Sequence, residues 1–312
     1  MCCLYGLIDS QSRLSARQKT RILMVLGTAC EQRGTDATGV AYISRGKLRI
    51  YKRAVPARRL RLKIPGDAQV IMGHTRMTTQ GNERFNPNNH PFAGSTPRGD
   101  FALAHNGVLW NDKLLRETLN LPNTRIETDS YIGVQLIEQQ KALNFSALKY
   151  MAEQVEGSFT FTVLDHDNSL YFIKGDNPLC IYSWPELGVF LYASLEEILR
   201  GVLPRLPLPG TGYQVIKPAC GEILCVDQAG GLTRDRFDDS NLQLMADCCD
   251  PAWYRWGGGG CVMPRRQADP DYLDDLRMVA GAYGYDRAAV DRLIRMGFTP
   301  EDIEEFLYCG EL

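Results

Sequence analysis

Met1-Cys2-Cys3-Leu4-Tyr5-Gly6-Leu7-Ile8 opens the chain, an apolar run directly behind a cysteine. Residues 4–8 read as a strand. Methionine aminopeptidases remove Met1 when the second residue is small, and cysteine is small enough. Cys2 is therefore expected to become the mature N-terminus. An α-amine has a pKa of roughly 7.7–8.0, so part of it is neutral near pH 7 and can accept a proton. The thiolate is the nucleophilic form of cysteine. One residue at the head of a strand would then hold a nucleophile and its base. Many proteins have cysteine at position 2, so the position alone decides nothing. Cys3 should point to the opposite side of the strand and is given no role.

The pattern of this first strand recurs up to about residue 240. Apolar or β-branched runs bounded by Gly, Pro or polar residues predict strands at 38–44, 48–53, 70–75 and 101–108. Others follow at 158–165, 169–174, 179–183, 189–193, 212–216 and 222–227. Helical periodicity appears at 16–33, 111–118, 129–140 and 145–155. Strand runs mixed with helix pairs imply an α+β fold, two sheets with helices packed outside them.

Composition narrows the function classes. The 312 residues are 44% hydrophobic with a net charge of −2, enough for a sizeable core and no general pull toward nucleic acid. No stretch approaches the roughly 20 apolar residues of a membrane span. The N-terminus lacks a basic leader region, so a cytoplasmic location is expected. Ten cysteines form no dense, regular disulfide pattern. Cys30, Cys180, Cys220 and Cys225 are expected to be small core residues.

Charge is uneven. Residues 45–63 hold nine Lys/Arg and no acid. That reads as a solvated face, or as a dock for an acidic partner, phosphate or the chain's own acidic tail. Residues 241–269, with Trp253-Tyr254-Arg255-Trp256 and four glycines from Gly257, read as a linker. Cys248, Cys249 and Cys261 match no standard zinc spacing and have no histidine nearby, so no metal is expected. Residues 270–312 show three short helical patterns, one capped by Thr299 with Pro300 in its first turn. They read as a small helical tail.

Several short motifs then accumulate in order. Gly73-His74-Thr75-Arg76-Met77-Thr78-Thr79-Gln80-Gly81 resembles the G-H-T-R-W-A-T-H-G signature of class II glutamine amidotransferases. Arg33-Gly34-Thr35-Asp36-Ala37-Thr38-Gly39 resembles their R-G-x-D-S-x-G segment, and Asn89-His90-Pro91-Phe92 their N-x-H-P. His105-Asn106-Gly107-Val108, Thr128-Asp129-Ser130, Glu156-Gly157-Ser158-Phe159 and Ala193-Ser194 are similar to later family motifs at family-like spacing. The resemblance spans residues 2–240. It implies a four-layer αββα sandwich of the N-terminal-nucleophile hydrolase type, followed here by the small helical extension.

The resemblance also implies roles. Cys2 attacks the side-chain amide of L-glutamine. Arg76 grips the α-carboxylate, a match for a guanidinium fork, with Thr79 assisting, and Asp129 takes the α-ammonium. The Asn106 amide and the Gly107 N–H stabilise the tetrahedral oxyanion. Taken singly, Arg76 also reads as an ion-pair partner, Asn106-Gly107 as a turn dipeptide and Asp129 as a helix N-terminal acid. His74, His90 and His105 are expected to be structural, because the α-amine supplies the base. Arg33 and Asp36 are expected to be scaffold beside the nucleophile.

Met77 and Gln80 replace the family's tryptophan and histidine in a loop that closes over glutamine there, which puts loop closure in doubt. About 70 residues follow the resembling region, too few for the family's usual acceptor domains. No phosphate-binding glycine motif is present and no cofactor is expected. The expectation is a glutaminase subunit handing ammonia to a separate synthase. The alternatives are a stand-alone amidohydrolase of this type acting on another amide, and a non-catalytic binding protein of the same fold. The stretch around Met296-Gly297-Phe298 resembles ubiquitin-associated-type three-helix modules.

Overall fold

All seven residues of β1 (Cys3–Asp9) are buried, as expected of a strand covered on both faces. A computed structural model describes residues 2–240, 242, 276–278, 280, 290–291 and 303. A capping box then starts α1 (Ala16–Cys30): Ser15 Oγ accepts from the Gln18 N–H, and the Gln18 side chain accepts from the Ser15 N–H. The helix ends at Cys30 rather than at residue 33. There the Arg33 and Gly34 N–H groups fold back on the carbonyls of Cys30 and Glu31 as tight turns.

The chain continues through β2 (Ala37–Ser44), β3 (Lys47–Arg53), β4 (Val70–Arg76), β5 (Phe92–Thr96) and β6 (Gly99–Leu109). Three helices follow, α2 (Asp112–Thr118), α3 (Tyr131–Gln140) and α4 (Phe145–Gln154). Then come β7 (Gly157–Leu164), β8 (Leu170–Lys174), β9 (Cys180–Trp184), β10 (Val189–Ala193), α5 (Glu196–Val202), β11 (Gln214–Ile216), β12 (Glu222–Val226) and β13 (Leu232–Arg236).

The strands form two antiparallel sheets. One runs β11-β9-β10-β1-β4-β2-β3 and the other β13-β12-β8-β7-β6-β5. The alternation of side chains along each strand assigns the layers. From β1, Cys3, Tyr5 and Leu7 join Ile22, Leu23, Leu26 and Cys30 of α1 in an outer core. Leu4 and Ile8 face the other way and meet Ala102, Ala104, Leu164 and Phe172 of the second sheet. Beyond that sheet, Leu103, Phe159 and Phe161 pack on Ile132, Leu136, Leu148 and Met151 of α3 and α4. The result is the expected α+β sandwich of four layers.

Polar anchors fix both ends of β1. At its far end Lys19 and Asp9 form a buried pair at 3.1 Å. Lys19 also donates to the carbonyls of Gly66 and Ala68, and Asp9 accepts the Arg13 and Leu14 N–H groups, so the ion pair is fully bonded. At its near end Leu4 N–H donates to Ser194 Oγ and Ser194 N–H to Leu4 O, both at 2.9 Å.

The described chain divides into one compact unit ending at Ala246 and a second starting at Asp247. In the second, residues 276–278, 280, 290–291 and 303 are helical. The cysteines of the expected linker, the Thr299-Pro300 helix start and the Met296-Gly297-Phe298 stretch lie outside the described residues. Among the described residues no helix is long and apolar enough to cross a membrane.

Candidate active site

Strand parity delivers four side chains, Cys2, His74, Arg76 and Asn106, to one end of the space between the sheets. Leu4 and Ile8 of β1 face that space, so Cys2, two residues before Leu4, shares their side. Val70 and Met72 of β4 face it too, which places His74 and Arg76 on that face. Ala102 and Ala104 of β6 do the same from the other sheet, followed by Asn106. A slab between sheets is normally apolar, because each buried polar group without a partner costs about 1–3 kcal/mol. Polar residues from three strands at one end mark a site. His74 Nε2 contacts the His105 carbonyl at 2.9 Å and bridges the two sheets beside it.

Cys2 sits at the edge of the slab, 9% exposed. The Met77 N–H points at its sulfur at 3.4 Å, and Sγ lies 3.5 Å from the Met77 carbonyl. Arg33 Nε holds the Cys2 carbonyl at 2.8 Å. Burial pushes the Cys2 thiol up, with Asp129 adding to the rise, while the Met77 N–H and the Arg76 charge pull it back. The thiol therefore rests protonated and needs a base to react.

Arg76 is 3% exposed. Its guanidinium donates to Asn89 Oδ1 at 2.8 Å, to the Gln80 carbonyl at 2.5 Å and to the Gly81 carbonyl at 3.1 Å. The 77–81 loop thus wraps its own arginine. Gln80 also reaches Asp129, whose N–H donates to Gln80 Oε1 at 3.1 Å. The Asp129 carboxylate accepts from the Leu109 N–H at 2.6 Å and from Ser130 Oγ at 3.2 Å. This explains why α3 begins at Tyr131 and not at residue 129: Asp129 ties the end of β6 to the helix instead of entering its first turn. Cys2, Arg76 and Asp129 lie within electrostatic reach of one another.

Thr79 is exposed on the loop. The buried hydroxyl there belongs to Thr78, whose Oγ1 has no partner among the described residues and whose N–H is held by Asp36 at 2.7 Å. Thr78, Met77 and Arg33 line a cleft of about 510 Å³ next to Cys2. Neither Thr78 nor the contacts of Gln80 and Asn89 with Arg76 stand out in the sequence. The doubled threonine after Arg76 was the available signal for the first, and the N-x-H-P resemblance for the last.

Asn106 is fully buried, and neither its Nδ2 nor its Oδ1 has a partner among the described residues. Gly107 follows with φ +145, a conformation that favours glycine. A Cβ there would lie 1.8 Å from the Ser158 carbonyl. Gly107→Ala is expected to destabilise the domain by about 2–3 kcal/mol, lowering Tm by about 5–10 °C. Thermal melts check this, and an unchanged Tm would show that β6 relaxes without cost.

The three histidines are buried and held neutral. Burial pushes His74 down to about 3 and lowers His90 and His105 as well. The His74 and His90 rings pack tilted at 30°, with centroids 4.1 Å apart, and His105 Nδ1 contacts Ser130 Oγ at 2.8 Å. They brace the sheets around the site. Among the described residues no group of His, Cys, Asp and Glu could hold a metal ion.

Comparison with known proteins agrees with this geometry. Residues 74–200 match the family model described as a glutamine amidotransferase domain. A glutamine–fructose-6-phosphate aminotransferase (isomerizing) of Sulfurisphaera tokodaii is 33% identical over 58% of this chain and 31% of its own length. The protein of the same name from Chlamydia muridarum is 26% identical over 81% of this chain and 40% of its own. This chain therefore matches well under half the length of these relatives. Among solved structures, the glutamine phosphoribosylpyrophosphate amidotransferase of B. subtilis complexed with ADP and GMP superposes with a TM-score of 0.61. It is 20% identical, covering 76% of this chain and 49% of that one, and bears on the fold alone. Two antiparallel sheets between helical layers and the ordered motifs around Arg76 and Asn106 agree with these matches: residues 74–200 carry a glutamine amidotransferase domain, and the motifs are similar to those of class II, the N-terminal-nucleophile type.

Proposed function

We propose that the chain hydrolyses L-glutamine to glutamate and ammonia, with Cys2 as nucleophile, and that the ammonia passes to a separate synthase subunit. The observation that carries this reading is the convergence of Cys2, Arg76 and Asp129 beside an Asn106 amide whose polar atoms are unengaged. In this reading Met1 is removed and the Cys2 α-amine takes the thiol proton. The sulfur attacks the side-chain amide carbon of glutamine, and the oxyanion is met by the Asn106 Nδ2 and the Gly107 N–H. Collapse of the tetrahedral adduct breaks the C–N bond. The α-ammonium returns the proton to the leaving nitrogen, and water hydrolyses the thioester.

Arg76 would receive the α-carboxylate once the loop carbonyls of Gln80 and Gly81 release it, with Thr79 and its neighbour Thr78 as hydroxyl donors nearby. Asp129 would take the α-ammonium. Residues 2–240 would form the amidotransferase domain, 241–269 the linker and 270–312 a helical tail. A cytoplasmic location accords with the free thiols among the described cysteines.

Turnover of glutamine against analogues lacking the α-carboxylate or the α-ammonium tests the reading. Losing a hydrogen bond to a charged group costs about 1.5–3 kcal/mol, so each analogue is expected to lose about 10- to 100-fold in kcat/KM. Equal turnover of truncated amides would favour an amidohydrolase acting on a different amide. No turnover of any amide would favour a binding protein.

A further inference from the structure

β3 carries much of the basic run noted in the sequence, and one of its lysines turns away from solvent. Lys52 pairs with Gly39 across β2 and β3 and reaches the 86–91 segment. Its Nζ donates to the Pro91 carbonyl at 3.0 Å, to that of Pro87 at 3.4 Å and to that of Asn89. The ammonium also lies 5.0 Å from the Phe92 ring centroid. Asn86 Nδ2 returns a bond to the Lys52 carbonyl at 3.1 Å. Gly39 permits the approach, since a Cβ there would sit 2.2 Å from the His90 carbonyl. Burial, with the like charge of Arg76 adding to it, pushes Lys52 down to about 8. The three carbonyls replace the water that this lysine gives up.

The segment that Lys52 grips carries Asn89. Asn89 Oδ1 accepts from Arg76 at 2.8 Å, and its Nδ2 donates to the Glu83 carbonyl at 2.7 Å and to Asn86 Oδ1 at 3.3 Å. A continuous chain of bonds thus leads from Lys52 through the 87–91 backbone to Asn89 and the guanidinium. We propose that Lys52 is a positioning residue for the α-carboxylate clamp, fixing the 87–91 backbone so that Asn89 holds Arg76 in its binding orientation. The proposal rests on the glutamine reading above. Lys52 itself touches no substrate. Its effect appears in substrate binding, while the reacting atoms at Cys2 are left alone.

The experiment compares Lys52→Met with the unaltered protein. The substitution keeps the length of the stem and removes all three donors. Four quantities are measured: KM and kcat for L-glutamine, the rate of Cys2 alkylation by iodoacetamide, and amide hydrogen exchange across 82–91. KM is expected to rise about tenfold or more, with kcat within about twofold. The alkylation rate stays the same and 82–91 exchanges faster. An unchanged KM overturns the proposal. So does an alkylation rate that falls with kcat, because that marks general damage at Cys2. If the unaltered protein does not turn over glutamine, the glutamine reading fails by itself. Unchanged exchange in Lys52→Met then overturns the positioning role separately, and faster exchange supports it. Should Lys52→Met fail to fold, Lys52→Gln keeps an uncharged amide with two of the three donors and carries the same readouts with a smaller rise in KM.

Discussion

Cys2→Ala is expected to lower kcat/KM for L-glutamine by about 10⁴-fold or more, the scale seen when a covalent nucleophile is removed. Tm should stay within about 2 °C. The two halves of this expectation come from different atoms. The bonds that hold the start of β1 use backbone: Arg33 to the Cys2 carbonyl, and Leu4 with Ser194. Alanine keeps all of them. The sulfur itself makes only long contacts to the Met77 backbone, so little packing is lost. Alanine is also small enough for Met1 to be removed, so the α-amine persists in the variant. The substitution therefore removes the nucleophile and leaves the base, the clamp and the fold. Ammonia release measured beside a thermal melt checks both halves. Residual activity above about a tenth with an unchanged melt would sink Cys2 as nucleophile, since an α-amine and an oxyanion site without the thiol lack the covalent route.

The layers were legible wherever a strand alternates between two apolar environments. β1, β4 and β6 show this, each sending one set of side chains to the inter-sheet core and the other outward. Three elements escaped the reading for local reasons. β5 is Phe-Ala-Gly-Ser-Thr, too small and polar to show strand propensity, and pairing with β6 makes it a strand. β13 is an edge strand of mostly exposed Leu-Thr-Arg-Asp-Arg, with no buried face to pattern it. α5 has seven residues and includes Gly201, too short for helical periodicity to register. The site divides in the same way. Cys2, Arg76, Asn106 and Asp129 sit in local motifs that a linear reading can find. Asn89 and Gln80 touch Arg76 or Asp129, and Lys52 touches the 87–91 backbone, through contacts that only the folded chain creates. Gln80, which stood out in the sequence as a departure, is the residue whose carbonyl and side chain link Arg76 to Asp129.

Asn106→Leu is expected to lower kcat about 10²- to 10³-fold, the usual loss for one oxyanion donor, while Tm holds or rises by up to about 4 °C. This opposition distinguishes a donor kept for the transition state from a residue kept for the fold. Asn106 is fully buried, and both its amide nitrogen and its oxygen lack partners among the described residues. The groups around it are engaged elsewhere. Thr160, opposite it on β7, donates to the Asn177 carbonyl at 2.7 Å. The preceding carbonyl, of His105, is met by His74. An orphaned buried amide costs about 1–3 kcal/mol, and leucine has nearly the same shape without that cost. A structural asparagine would show the reverse pattern, lost stability with kcat unchanged. KM should move little, because the oxyanion exists only after attack and the donor acts on the transition state rather than on bound glutamine. The comparison is made on one preparation, by melting curve and by steady-state ammonia release. A variant that is destabilised and keeps its kcat would remove Asn106 from the oxyanion site and leave the Gly107 N–H as its donor.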